Sequence, residues 1–183
     1  MQDLPAAPAR RVRGTWVDIV RTMILVLAFV ALIVLLVPRP GQLPRPTVDV
    51  ASAVTGVDSQ LGFTPIVPTG LPAGWTPTEA KTSNTTDGVS AFHIGYITAD
   101  GLYAGVYQAS SVTKDWLEAN NGSGSPVGEV TIDGVTWQQL YQQENQYTSL
   151  LLRRPDQVIL ITTKQGGVAT ATVLARALHL PPA

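Results

Sequence analysis

His93 and His179 are the only imidazoles available to this 183-residue chain, and it has no cysteine. That inventory bounds its chemistry. A zinc site draws on Cys, His or carboxylate ligands at short fixed spacings, and neither H-x-x-H nor H-E-x-x-H occurs. Without cysteine there is no disulfide framework, no thiolate metal site, no catalytic thiol and no lipobox cysteine for lipid attachment. A nucleophilic serine needs a base beside it, yet the loop NGSGSPVG, Asn121 to Gly128, spells neither G-x-S-x-G nor S-x-x-K. The carboxylates are numerous enough for a glycosidase-like pair, but several sit in turns such as TADG at Thr98–Gly101 and TIDG at Thr131–Gly134, where turn formation accounts for them. The segment KQGGVATAT, Lys164 to Thr172, lacks both phosphate-loop fingerprints and reads as a strand-to-helix turn. No catalytic residue, metal or cofactor is therefore expected.

Binding is the remaining class of chemistry. Trp75, Trp116 and Trp137, with five tyrosines, supply most of the large side chains. Their ordinary role is core packing, and the alternative is a stacking groove for a sugar, peptide or lipid. Arg153 and Arg154 are adjacent, so strand alternation sends their guanidiniums to opposite faces and only one can meet a given anion. These five residues are the binding candidates. His93 is expected half exposed, on the face opposite Phe92 and Ile94, and His179 in the last turn of a C-terminal helix, where it favours the macrodipole. The sequons NTT at Asn84 and NGS at Asn121 mark surface loops.

The elements that must carry these residues begin with an apolar run. Thr22 to Val37 is uncharged over sixteen residues, about 24 Å of helix, slightly short of a hydrocarbon core of about 30 Å. Trp16 and Val17 at the headgroup level, and Arg21 with its charge drawn back to the surface, extend the span to residues 17–37. A signal peptide calls for a shorter run ending in small residues, whereas this one ends in Pro38, Arg39 and Pro40, so an uncleaved anchor is expected. Arg10, Arg11, Arg13 and Arg21 precede the span against Arg39 and Arg45 after it, which places the N-terminus, residues 1–16, in the cytoplasm. The partner at this end is thus the lipid bilayer.

Residues 38–62 follow as stalk and linker. Pro38, Pro40, Pro44 and Pro46 favour polyproline II, and Val48 to Gly62 carries few large apolar residues. The net charge of −1 hides an asymmetry: the chain is basic before Thr47 and acidic after it. An acidic domain repels phosphate backbones, so no nucleic-acid partner is expected.

Residues 63–183 read as one α+β domain. Phe63 to Pro77 is broken by prolines into short edge elements. Hairpins are centred on Asp100–Gly101, on Asp133–Gly134 and on the PDQ of Pro155–Gln157. A short helix spans Val112 to Asn120, capped by Ser110 or Ser111 and pairing Val112 with Trp116, and NNGSGSP after it reads as a loop. A second helix over Val168–Leu180 aligns Ala171, Leu174 and Leu178. Consecutive hairpins predict a mainly antiparallel sheet of five to seven strands with two packed helices, behind one N-terminal transmembrane helix.

With LPAGW at Leu71–Trp75, GYITADGLYAGVYQA at Gly95–Ala109, GVTWQQLY at Gly134–Tyr141, the terminal LARALHL and the membrane-proximal WVDIVRTMILVLAFVALIVLLVPRP, the chain resembles an actinobacterial family of single-span envelope proteins of unassigned function. The resemblance implies topology and brings no catalytic or binding residue with it. The expectation is a non-enzymatic, membrane-anchored envelope protein whose outer domain binds an envelope protein or component. The alternatives are a lipid or small apolar ligand module and, third, a hydrolase using His93.

Overall fold

The computed structural model describes residues 16–36 and 48–182. The chain divides into two compact units, residues 1–44 and 45–183. In the first, α1 (Trp16–Leu36) is a continuous helix of 21 residues. Its stretch Trp16–Val34 is apolar and unburied, a candidate membrane span. At about 31 Å the whole helix matches a hydrocarbon core. Asp18, Arg21 and Thr22 are its polar residues, all near the start, and the Thr22 hydroxyl donates to the carbonyls of Asp18 and Ile19, each at 2.9 Å, so no free hydroxyl faces outward. Val37, the tail over 1–15 and the prolines from Pro38 to Pro46 lie outside the described residues.

The second unit opens with α2 (Val50–Val54) and α3 (Asp58–Leu61). Residues 48–62 are thus more ordered than the expected linker. Asp49 caps α2 by accepting from the amides of Ala51 and Ser52, and Val57 and Leu61 are buried in the core. Small residues concealed this, because two well-placed apolar anchors suffice when the backbone is capped locally.

Seven strands follow: β1 (Thr76–Asn84), β2 (Ser90–Ile97), β3 (Tyr103–Ala109), β4 (Ser125–Ile132), β5 (Val135–Gln142), β6 (Tyr147–Arg153) and β7 (Val158–Lys164). Helix α4 (Lys114–Asn120) lies between β3 and β4, and α5 (Gly167–Ala177) follows β7. The strands form one fully antiparallel sheet in the order β1-β2-β3-β7-β6-β5-β4. The expected α+β layout is therefore present. Strand β1, TPTEAKTSN, was not legible because it mixes Pro, Lys and Glu with few apolar residues, a composition that suits an edge. Each edge strand carries a proline as its second residue, Pro77 or Pro126, followed at once by a register shift.

Both sheet faces are covered. On the α5 face, Phe92, Ile94, Val106, Trp137, Leu150, Ile159 and Ile161 meet Ala171, Leu174 and Leu178. On the α4 face, Ala91, Ala109, Leu140, Leu151 and Leu160 surround Trp116. Coverage on both sides explains why β7 reads as the unbroken apolar run VILI rather than an alternation. Gln108, fully buried, pins the lead-in: its side chain accepts from the Ile66 amide and donates to the Ile66 carbonyl, both at 2.7 Å.

The helix termini differ from expectation for local reasons. Thr113, not Ser110 or Ser111, caps α4, accepting from the Trp116 amide at 3.1 Å while donating its hydroxyl to Asp87. Helix α5 ends at Ala177, so His179 lies beyond it with a left-handed φ of 48°. The expected hairpin at Asp133–Gly134 is present, with φ of 49° and 83° as a tight two-residue turn requires. Ser125 and Pro126, expected in a loop, already belong to β4.

Trp137 is 1 % exposed whereas Trp75 is only half buried. Trp137→Ala is expected to cost about 3–5 kcal/mol by leaving a cavity. Trp75→Ala should cost about 1–2 kcal/mol, in proportion to the smaller apolar area it removes from water. Urea unfolding of the two full-length variants in detergent, followed by tryptophan fluorescence, measures the difference.

Candidate functional site

The five candidates do not converge. Trp137 is core beneath α5, and Trp116 is the buried residue of α4, packed on the opposite sheet face. Trp75 packs its ring 6.3 Å from that of Tyr96 and borders a shallow hollow of about 330 Å³ with Pro72, Leu102 and Val173. Arg153 is exposed at the end of β6, and Arg154 pairs with Asp156 at 3.8 Å.

Convergence occurs instead on the α4 face, among residues whose register places them there. Glu79 pairs with Gly95 and Lys81 with His93; His93 in turn pairs with Tyr107 and Gly95 with Gly105. Period-two alternation puts Glu79, Lys81, His93, Gly95, Tyr103, Gly105 and Tyr107 on one face. Contrary to the half-exposed expectation, His93 is 4 % exposed. The Tyr107 ring stacks on it at 4.1 Å and 14°, and Trp116 meets Tyr107 edge-on at 5.9 Å.

The paired glycines explain how Tyr103 reaches His93. Tyr103 lies two residues from Gly105, and its ring crosses the bare backbone there. A Cβ on Gly105 would stand 2.4 Å from the Tyr103 hydroxyl and 3.1 Å from His93 Nε2. With that space free, the hydroxyl lies 2.9 Å from His93 Nε2, while Glu79 Oε2 lies 3.3 Å from Nδ1. Lys81 completes the row by pairing with Glu79.

Electrostatics assign the protons. Burial is the main influence on His93 and lowers its pKa to about 4, with Glu79 opposing. The ring is therefore neutral near pH 7. A carboxylate beside Nδ1 selects the tautomer with the proton there, leaving Nε2 to accept from Tyr103. Burial also pushes the Tyr103 hydroxyl above its ordinary range, and Lys81 chiefly holds Glu79 below its own. The order carboxylate, imidazole, hydroxyl repeats that of a hydrolase triad. Its proton energetics are opposite, since a weakened base faces a less acidic hydroxyl. The arrangement holds an oriented hydroxyl against a buried imidazole.

Beside this cluster the same face carries a hollow of about 300 Å³ lined by Tyr103, Tyr107, Tyr147, Lys164, Thr162 and the α4 end at Ala119–Gly122. Strand pairing builds it. Tyr103 and Tyr147 both pair with Lys164, from opposite sides, so a Tyr–Lys–Tyr row crosses β3, β7 and β6. The next row on the face, Gly105–Thr162–Ser149, is small, and its Thr162 forms the floor. Thr162 donates to the Asn120 carbonyl at 3.1 Å, tying the end of α4 over that floor. Sequence reasoning weighed Tyr103 and Tyr147 only among all the aromatics of a stacking groove and did not single out Lys164 or Glu79; β3 and β7 are remote in the chain, and the pairing that brings the tyrosines to Lys164 leaves no local trace.

The family model DUF4245, described as a protein of unknown function, matches residues 11–178. The chain belongs to the DUF4245 family. Comparisons with curated proteins and with solved structures returned no match. The DUF4245 match runs from before α1 into the turn after α5, so it covers the cluster and the hollow together with the apolar helix. Among the described residues of this DUF4245 chain, no group of three or more His, Cys, Asp or Glu residues is placed to hold a metal ion.

The buried imidazole makes stability sensitive to pH. Unfolded His93 takes a proton below about pH 6.5, whereas the folded ring resists until about pH 4. Between those values the unfolded state binds more protons, so stability falls as pH drops, by up to about 3 kcal/mol across the window. Glu79, lowered in the fold, adds a loss in the same direction at the acidic end, below its ordinary pKa. The melting temperature of the native protein should decline from pH 6.5 to 4, and that of His93→Gln should be flatter over the same range. Parallel slopes would show that His93 does not carry the effect.

Proposed function

We propose that this chain is a single-pass cell-envelope protein of the actinobacterial kind its sequence resembles, with the N-terminus in the cytoplasm and a non-enzymatic binding domain outside it. The anchor runs over residues 17–37, with Trp16, Arg21, Thr22 and Val37 at its margins, and its partner is the lipid bilayer. The domain's partner is an envelope protein or component. The observation that carries the binding reading is the hollow on the α4 face, a concave site with aromatic walls and a few convergent polar groups.

Two further observations support it. His93, the best base for a hydrolase, has both ring nitrogens engaged and a pKa lowered to about 4. The alternative of a lipid or small apolar ligand held between sheet and helix receives less support. On the α5 face that space is filled by Phe92, Ile94, Ile161 and Leu174, all fully buried, and the hollow on the α4 face is lined by tyrosines and a lysine.

The topology is tested by adding protease to intact cells that express the chain with a C-terminal epitope tag, together with the mass of the purified protein. Loss of the tag outside intact cells with a full-length mass is expected. A protected tag, or a chain cut between the apolar helix and the domain, would overturn the anchored arrangement.

A further inference from the structure

The hollow's polar groups differ in what they can still offer a ligand. With the His93 proton held on Nδ1 by Glu79, the Tyr103 hydroxyl donates to Nε2, so toward anything else it can only accept. Asn120 donates from Nδ2 to the Trp116 carbonyl at 2.8 Å, leaving Oδ1 to accept. Both ask for a ligand with hydroxyl donors. Lys164 asks for the opposite: its ammonium forms no ion pair among the described residues and lies 5.8 Å from the centroid of the Tyr147 ring. An exposed cation in an acidic domain is a point of attraction for an anionic group.

The walls add a shape requirement. Tyr103 and Tyr147 flank Lys164 through backbone pairing on both sides, so two aromatic rings and one charge share a row fixed by the sheet and not by a loop. Aromatic side chains offer flat apolar surface to the C–H face of a saturated ring, while a ring's hydroxyls meet the acceptors around it. At about 300 Å³ the hollow is at the small end of ligand sites, suited to one ring with its substituents.

Resting on the binding reading above, we infer that the hollow between Tyr103, Tyr147 and Lys164 binds an acidic sugar, a polyhydroxylated ring bearing one anionic group. The anion sits against Lys164, the ring against the tyrosine faces, and hydroxyls donate to Tyr103 and Asn120. The acidic ring is either a free monosaccharide or the terminal unit of a glycan, and the recognition chemistry is the same.

The test is a calorimetric titration of the full-length protein in detergent with three probes: D-glucuronate, a glucuronate-terminated oligosaccharide and D-glucose. Saturable binding of a glucuronate probe is expected, with glucose weaker and Lys164→Met reducing glucuronate affinity by about tenfold or more, as loss of a charge-assisted hydrogen bond does. Lys164 is exposed at the end of β7, so this variant should keep the native melting temperature. Tighter binding of the oligosaccharide than of the monosaccharide identifies a glycan end as the source, and the reverse a free sugar; either supports the site. If glucose binds as well as glucuronate and Tyr147→Ala weakens it, the acidic-sugar inference falls while the binding domain stands. If glucuronate binds with no change in Lys164→Met, the inference also falls. If no probe binds, the inference falls, and the binding reading is then judged by whether native mass spectrometry of the full chain shows a co-purified molecule that Tyr147→Ala loses. If a probe is chemically converted, the non-enzymatic reading falls.

Discussion

The pairing of β3 with β7 is the constraint on which the domain rests. Seven backbone partners, from Tyr103↔Lys164 to Ala109↔Val158, join a meander of β1, β2 and β3 to a second meander of β7, β6, β5 and β4. Each meander is local, built from hairpins whose turns close at small entropic cost. The seam is not. It brings together segments separated by α4 and three strands, and it creates the continuous surfaces that α5 and α4 cover. It also sets the Tyr–Lys–Tyr row, because the residue between the two tyrosines belongs to β7. A one-residue slip at this seam would send Lys164 to the opposite face and dissolve the hollow.

On the same face, absence of side chains is as decisive as their presence. Gly95 and Gly105 oppose each other across β2 and β3, and the strip they leave bare admits the Tyr103 ring. A glycine in a strand interior ordinarily weakens it. Two glycines in register instead make a slot, and the hydrogen bond to His93 and the stacking of Tyr107 compensate for the missing contacts. The imidazole then has an acceptor on one nitrogen, a donor on the other and a ring against its face, which satisfies a buried polar group without giving it a charge.

The sequence was legible where the signals are local. The hairpins at Asp100–Gly101 and Asp133–Gly134 follow from turn chemistry, and the shared face of Phe92, Ile94 and Tyr96 from alternation. The burial of Ala171, Leu174 and Leu178 follows from helical spacing. What was not legible depends on distant partners. His93 was expected half exposed because alternation pointed it away from the Phe92 face. A sheet with both faces covered buries it anyway, and nothing near His93 in sequence announces that Trp116 and Tyr107 pack there. Val57 and Leu61 were hidden for the same reason, being two apolar residues in a stretch of small ones whose docking surface lies on the sheet. The five binding candidates lie apart in the fold: large aromatics and adjacent arginines are conspicuous by composition, whereas Tyr103, Tyr147 and Lys164 become a group only once the strand order is known.

Both outer strands carry a proline as their second residue and lose register immediately afterwards, β1 at Pro77 and β4 at Pro126. A proline has no amide hydrogen to offer a new strand, and a bulge twists the neighbouring donors out of line. For a protein held in a plane by an apolar helix, as proposed, copies meet far more often than they would in free solution. Two open edges would then let the sheets zip into ribbons. A proline and a bulge near one end of each outer strand shorten the row of amides open to such pairing, so the edges work against that association however densely the surface is populated.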